Sequence, residues 1–534
     1  MANLSDLWRR RPALCVALAV ALIALVRLGI VLATPLELGP DEAQYWRWSR
    51  TLDWGYYSKP PLIAWVIAAT TSVFGNAEWA VRLAVPFLHA ATAFFLFLLG
   101  RNMARDADGA PGNVTGAWAA AIYLLMPGVT LSSVVISTDA VLLPFWSAAL
   151  LALWSLRERP GVVNGALAGL MIGLAMLGKY AALYIGAGAI LAALFDRQTR
   201  AALLSFGGLA MLAVATLTLA PNLLWNAANG FETVAHTTDN ANWNEATFNI
   251  LNLVKYMTDQ MGVFGPIAFV LLLAAFYRTA RRRDAEGLAD ETAGRLPVRE
   301  LWLICFIAPV LVLIAVQAVI SRAHANWAAT AYPAASVLLA LLATRAGWRN
   351  WVRASVILNI VIAGVAAALI VLPSLGDAIG LGNGYKRVRG WGETAREIQA
   401  RAAAEGATAI MIDEREVWHG VDYYSRDLGG DIPLRAWRRH DNPRSTAEEI
   451  GTMQPGEDAR ILIASVRTRF RARIRADFDR IEDAGTLEIP LGGGKTRRIV
   501  LFLASGYHPL PRTPDYERAY ELADPDDAAD ADAG

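Results

Sequence analysis

Two adjacent carboxylates and a solitary amine stand out in this chain. Asp41 and Glu42 lie in Gly39-Pro40-Asp41-Glu42-Ala43-Gln44-Tyr45-Trp46, and Lys59 follows eighteen positions after Asp41 in Tyr56-Tyr57-Ser58-Lys59-Pro60-Pro61. Both segments come just after the first long apolar run, at a membrane surface. A carboxylate there, partly desolvated, has its pKa raised toward a working value and suits a general base. A cation at the start of the helix that Pro60-Pro61-Leu62 opens suits an anion, and phosphate is the natural guest. Each feature also has a plainer reading. Pro40 followed by two acids is a good helix start, and a lysine at an interface often only snorkels. The aromatics Tyr45, Trp46, Trp48, Trp54, Tyr56 and Tyr57 crowd the same loop and predict an amphipathic helix lying in the interface.

Further along, Asp139 in Ile136-Ser137-Thr138-Asp139-Ala140 falls between apolar runs, where an acid is costly unless paired or solvated. It also suits the start of the next helix. Lys179 interrupts another apolar run and must snorkel or pair; a second phosphate contact is one outcome. His236, Asn240 and Trp243, with Asn222 and Asn226, give the 222–259 connection the amides and rings that contact sugars. Arg322-Ala323-His324-Ala325-Asn326-Trp327 closes another span. There Arg322 suits a phosphate clamp, and His324 and Asn326 suit substrate contacts. No metal-ligand spacing, Walker loop or dinucleotide fingerprint is present.

These groups need a scaffold, and composition identifies it. The 534 residues are 55% hydrophobic and only 18% charged, against about 25% charged in ordinary soluble chains. The deficit is confined to residues 12–373, which read as apolar stretches; the remainder is ordinary polar sequence. Spans of about twenty residues are expected near 12–34, 80–100, 114–134, 139–156, 162–178, 181–195, 201–221, 260–277, 300–320, 326–344 and 354–373. The first run is too long for a signal peptide and reads as an uncleaved span. Eighteen Lys and Arg fall in one set of connections and seven in the other. The positive-inside rule then puts the N-terminus in the cytoplasm and, with eleven spans, the C-terminal region outside. The net charge of +1 gives no reason to expect nucleic acid. Cys15 and Cys305 lie in apolar runs and read as inert.

Asp-Glu after the first span, Tyr-Tyr-Ser-Lys-Pro-Pro-Leu, Ser-Thr-Asp-Ala and His-Ala-Asn-Trp together resemble bacterial glycosyltransferase family 39, relatives of the protein O-mannosyltransferases and the lipid A aminoarabinose transferase. The resemblance covers about 12–373. It implies a GT-C membrane fold that moves a sugar, with inversion, from a polyprenyl monophosphate to an extracytoplasmic acceptor. It also implies a catalytic acid at Asp41, with Glu42 beside it, and a lipid-phosphate contact at Lys59. The aminoarabinose transferase has an acid just before that lysine, where this chain has Ser58. Some relatives use a divalent metal.

The domain plan expected is a catalytic membrane domain over 1–373, with its first extracytoplasmic loop at 35–79, a small extracytoplasmic α/β domain over 374–523, and a disordered acidic tail at 524–534. Apolar runs at 409–412, 460–464 and 499–503 read as strands, and 393–404 as a helix. The function expected is an inverting transferase of the inner membrane. Its substrate contacts are Tyr45, Tyr57, Asp139, His236, Asn240, Trp243, His324 and Asn326, and its phosphate contacts Lys59, Arg322 and Lys179. A lipid A, lipopolysaccharide or other glycan acceptor is favoured over a protein. The rival is a flippase of lipid-linked sugar, which needs polar groups along a path and often internal repeats; none is evident here.

Overall fold

The computed structural model describes residues 4–104, 112–231, 233, 248–286, 296–429, 432–456 and 460–516. Their contacts divide them into two compact units. One is drawn from Met1–Thr34 and Leu52–Val371, the other from Pro35–Thr51 and Leu372–Gly534. Residues 35–51, placed by sequence in the first loop of the membrane domain, thus belong by contact with the C-terminal region. The acidic stretch at 524–534 lies outside the described residues.

The first unit is helical. Pro12–Ala33 shows why: Val16, Val20, Ala24, Arg27 and Val31 recur at helical spacing and are buried, while Leu18, Leu22, Leu25 and Val26 are exposed. One stripe faces the bundle and the remainder suits lipid. Among the described residues six helices are long and apolar enough to cross a bilayer alone: Pro12–Ala33, Glu78–Met103, Thr138–Glu158, Phe206–Ala228, Val298–Ile320 and Arg349–Val371. Ile250–Phe264 and Pro266–Arg281 form a seventh candidate, bent by 112°. The bend sits at Gly265, whose φ is +98° and whose added Cβ would meet Asn359 Oδ1 at 2.3 Å. Leu62–Phe74, Asn113–Leu125, Val162–Gly178, Tyr180–Phe195 and Ala331–Arg345 are apolar but shorter. Helix length therefore does not by itself return the expected eleven spans. The expected span 201–221 is the helix Phe206–Ala228, so 222–228 are helical and not loop.

Close helix approach rests on small residues. Gly165, Gly169 and Gly173 line one face of Val162–Gly178, where added Cβ atoms would meet Gly207 O at 1.8 Å, Met211 O at 2.3 Å and Thr218 Cβ at 2.5 Å. Backbones this near pack without the aid of water, as small-residue motifs do in membranes.

The second unit is built on a five-stranded sheet of order β2-β1-β3-β5-β4, with β1 at Ala409–Ile412, β2 at Leu434–Ala436, β3 at Ile461–Ser465, β4 at Phe478–Gly492 and β5 at Lys495–Tyr507. The first three are parallel and the last two form an antiparallel pair. β1 and β3 are buried at every position, as expected where helices cover both faces of a parallel sheet. The helices Trp391–Ala404, Arg415–Ser425 and Thr446–Gly451 supply the cover. Within Arg415–Ser425, His419 is 1% exposed, and neither ring nitrogen has a hydrogen-bond partner among the described residues. Burial, aided by Arg415 and Arg47, pushes its pKa well below the ordinary histidine value.

Two outcomes test this packing. Gly169→Val drives a side chain into backbone and lowers the thermal midpoint in detergent, by about 1–3 kcal/mol of stability or more; Gly186→Ala, with open space around it, leaves the midpoint unchanged. For His419, the imidazole is held neutral in the folded unit and charges in the unfolded chain below pH 6.5. Stability present above that pH is therefore lost on acidification. The midpoint of the second unit falls more steeply from pH 6.5 to 5 in the wild type than in His419→Gln. Taking the difference between the two proteins cancels the opposite slope of Asp422, whose burial raises it to about 6.

Candidate active site

Asp41 and Glu42 sit in the first turn of the helix Pro40–Trp48, in the second unit. They do different work. Glu42 is 2% exposed and its Oε2 accepts the Gly39 N–H at 2.9 Å, closing the helix start on itself. Asp41 is 53% exposed, with Arg415 Nη2 at 3.5 Å from its Oδ1. Arg415 Nη1 also donates to Gln44 Oε1 at 3.1 Å. Burial alone would lower the Arg415 pKa, yet Asp41, Glu416 and Glu414 carry it above the ordinary value. A cation beside Asp41 sets the direction of its carboxylate.

The other side chains of this helix bind it to its own unit. Thr446 Oγ1 accepts from Gln44 Nε2 at 3.3 Å and from Trp48 Nε1 at 3.2 Å. Trp46 meets the Tyr423 ring edge-on at 4.9 Å, and Arg47 lies 3.6 Å from Asp422. Upstream, Glu37 accepts the N–H groups of Trp391 and Gly392 at 2.6 and 3.0 Å, and Leu38 donates to the Tyr424 hydroxyl at 2.7 Å. Tyr45, Trp46 and Trp48 are at most 7% exposed. The aromatic stripe expected to lie in lipid is therefore spent on protein packing, and Tyr45 is buried against Trp48 at 5.3 Å.

The first unit gathers the other candidates. Tyr56 and Lys59 exchange backbone hydrogen bonds of 3.1 and 3.3 Å, so Tyr57-Ser58 form a tight turn that presents Lys59 before the helix Leu62–Phe74. Tyr57 and Lys59 are half-buried. The turn is anchored at Thr233, which donates to Tyr56 O at 2.8 Å, and at Trp54 O, which accepts from Asn222 at 2.6 Å. Gly55 is pressed on Trp225, where a Cβ would fall 2.3 Å from the ring. Asn222 in turn accepts the Tyr180 hydroxyl at 2.8 Å, and Asn226 donates to that hydroxyl at 3.0 Å.

Lys179, next to Tyr180, occupies the break between Val162–Gly178 and the following helix. Its amine lies 2.8 Å from Asp139 Oδ1, while Asp139 Oδ2 accepts from Asn326 at 2.9 Å. Asp139 is 7% exposed, in a helix capped by Ser137. The two charges that the sequence left apart thus satisfy each other, as a buried pair must. Arg322 is exposed and its carbonyl accepts from Gln317 at 3.2 Å. His324 precedes the short turn Ala325–Ala328, with its ring 5.2 Å from Trp327. His236, Asn240 and Trp243 lie outside the described residues.

Sequence reasoning gave no role to Arg415, Thr446 or Tyr180. A signal existed for the first: Asp413-Glu414-Arg415 leaves the end of β1, where α/β sheets place functional groups. Among the described residues no group of three or more His, Cys, Asp or Glu comes together, and Glu42 is turned back on its own helix. The described side chains do not form the cage a divalent metal takes.

The model of the dolichyl-phosphate-mannose-protein mannosyltransferase family matches residues 58–225. The lipid A galacturonosyltransferase RgtD of Rhizobium johnstonii is 38% identical over 406 residues, which is 74% of this chain and 79% of that one. The lipopolysaccharide core galacturonosyltransferase RgtA of the same organism is 28% identical over 213 residues, 40% of this chain and 41% of that one. In fold, the chain is similar to ArnT from Cupriavidus metallidurans in the structure bound to undecaprenyl phosphate. The TM-score is 0.58 and the identity 17%, over 91% of this chain and 97% of that one. Apolar helices in number, a small α/β unit and these likenesses converge: the chain is a multi-pass membrane glycosyltransferase and belongs to the GT-C glycosyltransferases, in the same family as RgtD.

Proposed function

We propose that this enzyme transfers a sugar, galacturonic acid by the precedent of RgtD and RgtA, from a polyprenyl-phosphate donor to lipid A or another lipopolysaccharide acceptor. The reaction belongs at the outer face of the inner membrane, where the charge bias of the connections would put the loop at 35–79. One observation carries the assignment of roles: Asp41 is exposed and held by Arg415, whereas Glu42 is consumed in its own helix cap.

Asp41 then takes the proton of the acceptor hydroxyl as that oxygen attacks the anomeric carbon. The bond from that carbon to the phosphate oxygen breaks on the opposite face, giving inversion, and polyprenyl phosphate leaves with the electron pair. Lys59, on its tight turn, stabilises the charge growing on that phosphate. Lys179 is neutralised by Asp139 and serves to fix Asn326 and the neighbouring Tyr180–Asn222 pair, which ties back to the Lys59 loop. Arg322 and His324 stand as contacts to substrate from the junction before Ala331–Arg345.

Two variants test the roles in a reconstituted assay that follows product by mass spectrometry. Asp41→Asn lowers kcat about 10²–10⁴-fold, the usual worth of a positioned base, with donor KM preserved; turnover within a few-fold of wild type would remove Asp41 from the chemistry. Lys59→Ala raises donor KM by about tenfold or more, the equivalent of about 1.4 kcal/mol. An unchanged KM would place the phosphate elsewhere.

A further inference from the structure

Galacturonic acid differs from a neutral hexose by one charged group, a carboxylate in place of the terminal hydroxymethyl. A transferase that selects it must answer that charge as well as the anomeric phosphate of the donor. Bringing a carboxylate out of water against protein is costly unless a hydrogen-bonded cation receives it. A guanidinium suits the task, since its planar fork meets both carboxylate oxygens at once. The sugar ring fixes the separation of the two anions, so two cations held in fixed relation can read both.

Seven Lys and Arg lie in the charge-poor set of connections, and most are already engaged. In the second unit Arg47 faces Asp422 at 3.6 Å, and Arg50 donates to the Ser49 hydroxyl at 2.9 Å. In the first unit Lys179 is 2.8 Å from Asp139, Lys255 is 3.0 Å from Asp259, and Arg82 is buried. Lys59 serves the donor phosphate in the mechanism above. Arg322 remains. It is exposed, and its guanidinium has no partner among the described residues.

Arg322 nonetheless stands on a fixed segment. Gln317, in the last turn of Val298–Ile320, donates to Arg322 O at 3.2 Å; Asn252 donates to Ser321 O at 2.7 Å, and Gln260 to Ala325 O at 3.2 Å. Ser321 is buried, while Arg322, His324 and Asn326 are exposed with less exposed alanines between them. Alternation marks an extended run, which sends Arg322 and His324 to one side. Asn326 donates to Asp139, and Asp139 holds Lys179. Beside Lys179 the Tyr180 hydroxyl bonds Asn222, whose amide holds Trp54 O at the base of the Lys59 turn. Within the first unit one continuous line of bonds thus joins the segments that carry Arg322 and Lys59.

We propose that Arg322 determines donor specificity by binding the carboxylate of a uronic acid through paired N–H···O bonds, while Lys59 binds the phosphate of the same donor. This assignment rests on the polyprenyl-phosphate donor of the proposed function and gives it a second charge contact. The other role for Arg322, the phosphate clamp expected from sequence, acts on every donor alike.

Two donors with the same lipid and anomeric configuration, galacturonosyl and galactosyl polyprenyl phosphate, separate these roles. The full-length protein in nanodiscs is assayed with lipid A as acceptor. Donor binding is followed independently by the rise in melting temperature that each donor gives. The wild type favours the galacturonosyl donor both in kcat/KM and in melting shift. Arg322→Gln lowers kcat/KM for that donor about 10–100-fold, the usual worth of a hydrogen-bonded charge, and keeps the galactosyl donor within a few-fold, so the preference collapses. Arg322→Lys recovers part of it, being a point charge without the fork. Lys59→Ala weakens both donors to the same extent. Equal loss on both donors in Arg322→Gln, loss on neither, or a wild type indifferent to the carboxylate overturns the proposal. Asp41→Asn keeps the difference in melting shift while losing turnover. A wild type that shows this difference but transfers neither sugar ends the transfer reading and leaves the carboxylate contact standing, so the two fail separately.

Discussion

The structure around Asp41 depends on one constraint, that a nine-residue helix keep an acid exposed and held in place beside Arg415. The helix Pro40–Trp48 is too short to be stable alone in water. Its stability is borrowed. Tyr45, Trp46 and Trp48 are buried, each worth about 1.5–3 kcal/mol by area, and Thr446 accepts from the Gln44 amide and the Trp48 indole on this face. With one face committed, Asp41 is left on the open side under the hand of Arg415, while Glu42 spends its charge on the helix start.

The first unit solves a different problem with similar means. Helices packed through glycine leave little room for polar groups, yet its breaks at Lys179 and near Asn326 expose backbone and charge. The pairing of Lys179 with Asp139 and Asn326, and of Tyr180 with Asn222 and Asn226, satisfies these groups inside the unit. Bonded surroundings of this kind hold a site to within fractions of an ångström. The Lys59 turn is the visible beneficiary, since its backbone is pinned from Thr233 and Asn222.

Much of this was legible in the sequence, for reasons that also explain what was not. Long apolar runs announce helices that cross a bilayer, and the buried strands β1 and β3 announce themselves by short runs of branched residues. The acid doublet and the lysine before Pro60-Pro61 were conspicuous because such groups are expensive at an interface. The pattern of aromatics at 45–48 was read correctly as one apolar face of a helix, but periodicity does not say what covers that face; lipid and protein give the same spacing. Asp139 and Lys179, 40 positions apart, read as two lone charges because only the fold joins them. Asn222 and Asn226 read as loop because they are polar, yet both lie in the helix Phe206–Ala228, where their amide nitrogens donate within the unit. β4 went unnoticed because it is mostly exposed and carries Pro490 near its end, as an edge strand tolerates.

The contact between Gln44 and Thr446 spans 402 residues of chain. The helix that carries Asp41 is thus made early by the ribosome and finds its seat only when the last third of the polypeptide has been synthesised and has folded. Correct seating of that helix becomes a certificate of completion: a chain stalled part-way through biogenesis has its membrane helices but no seated Asp41.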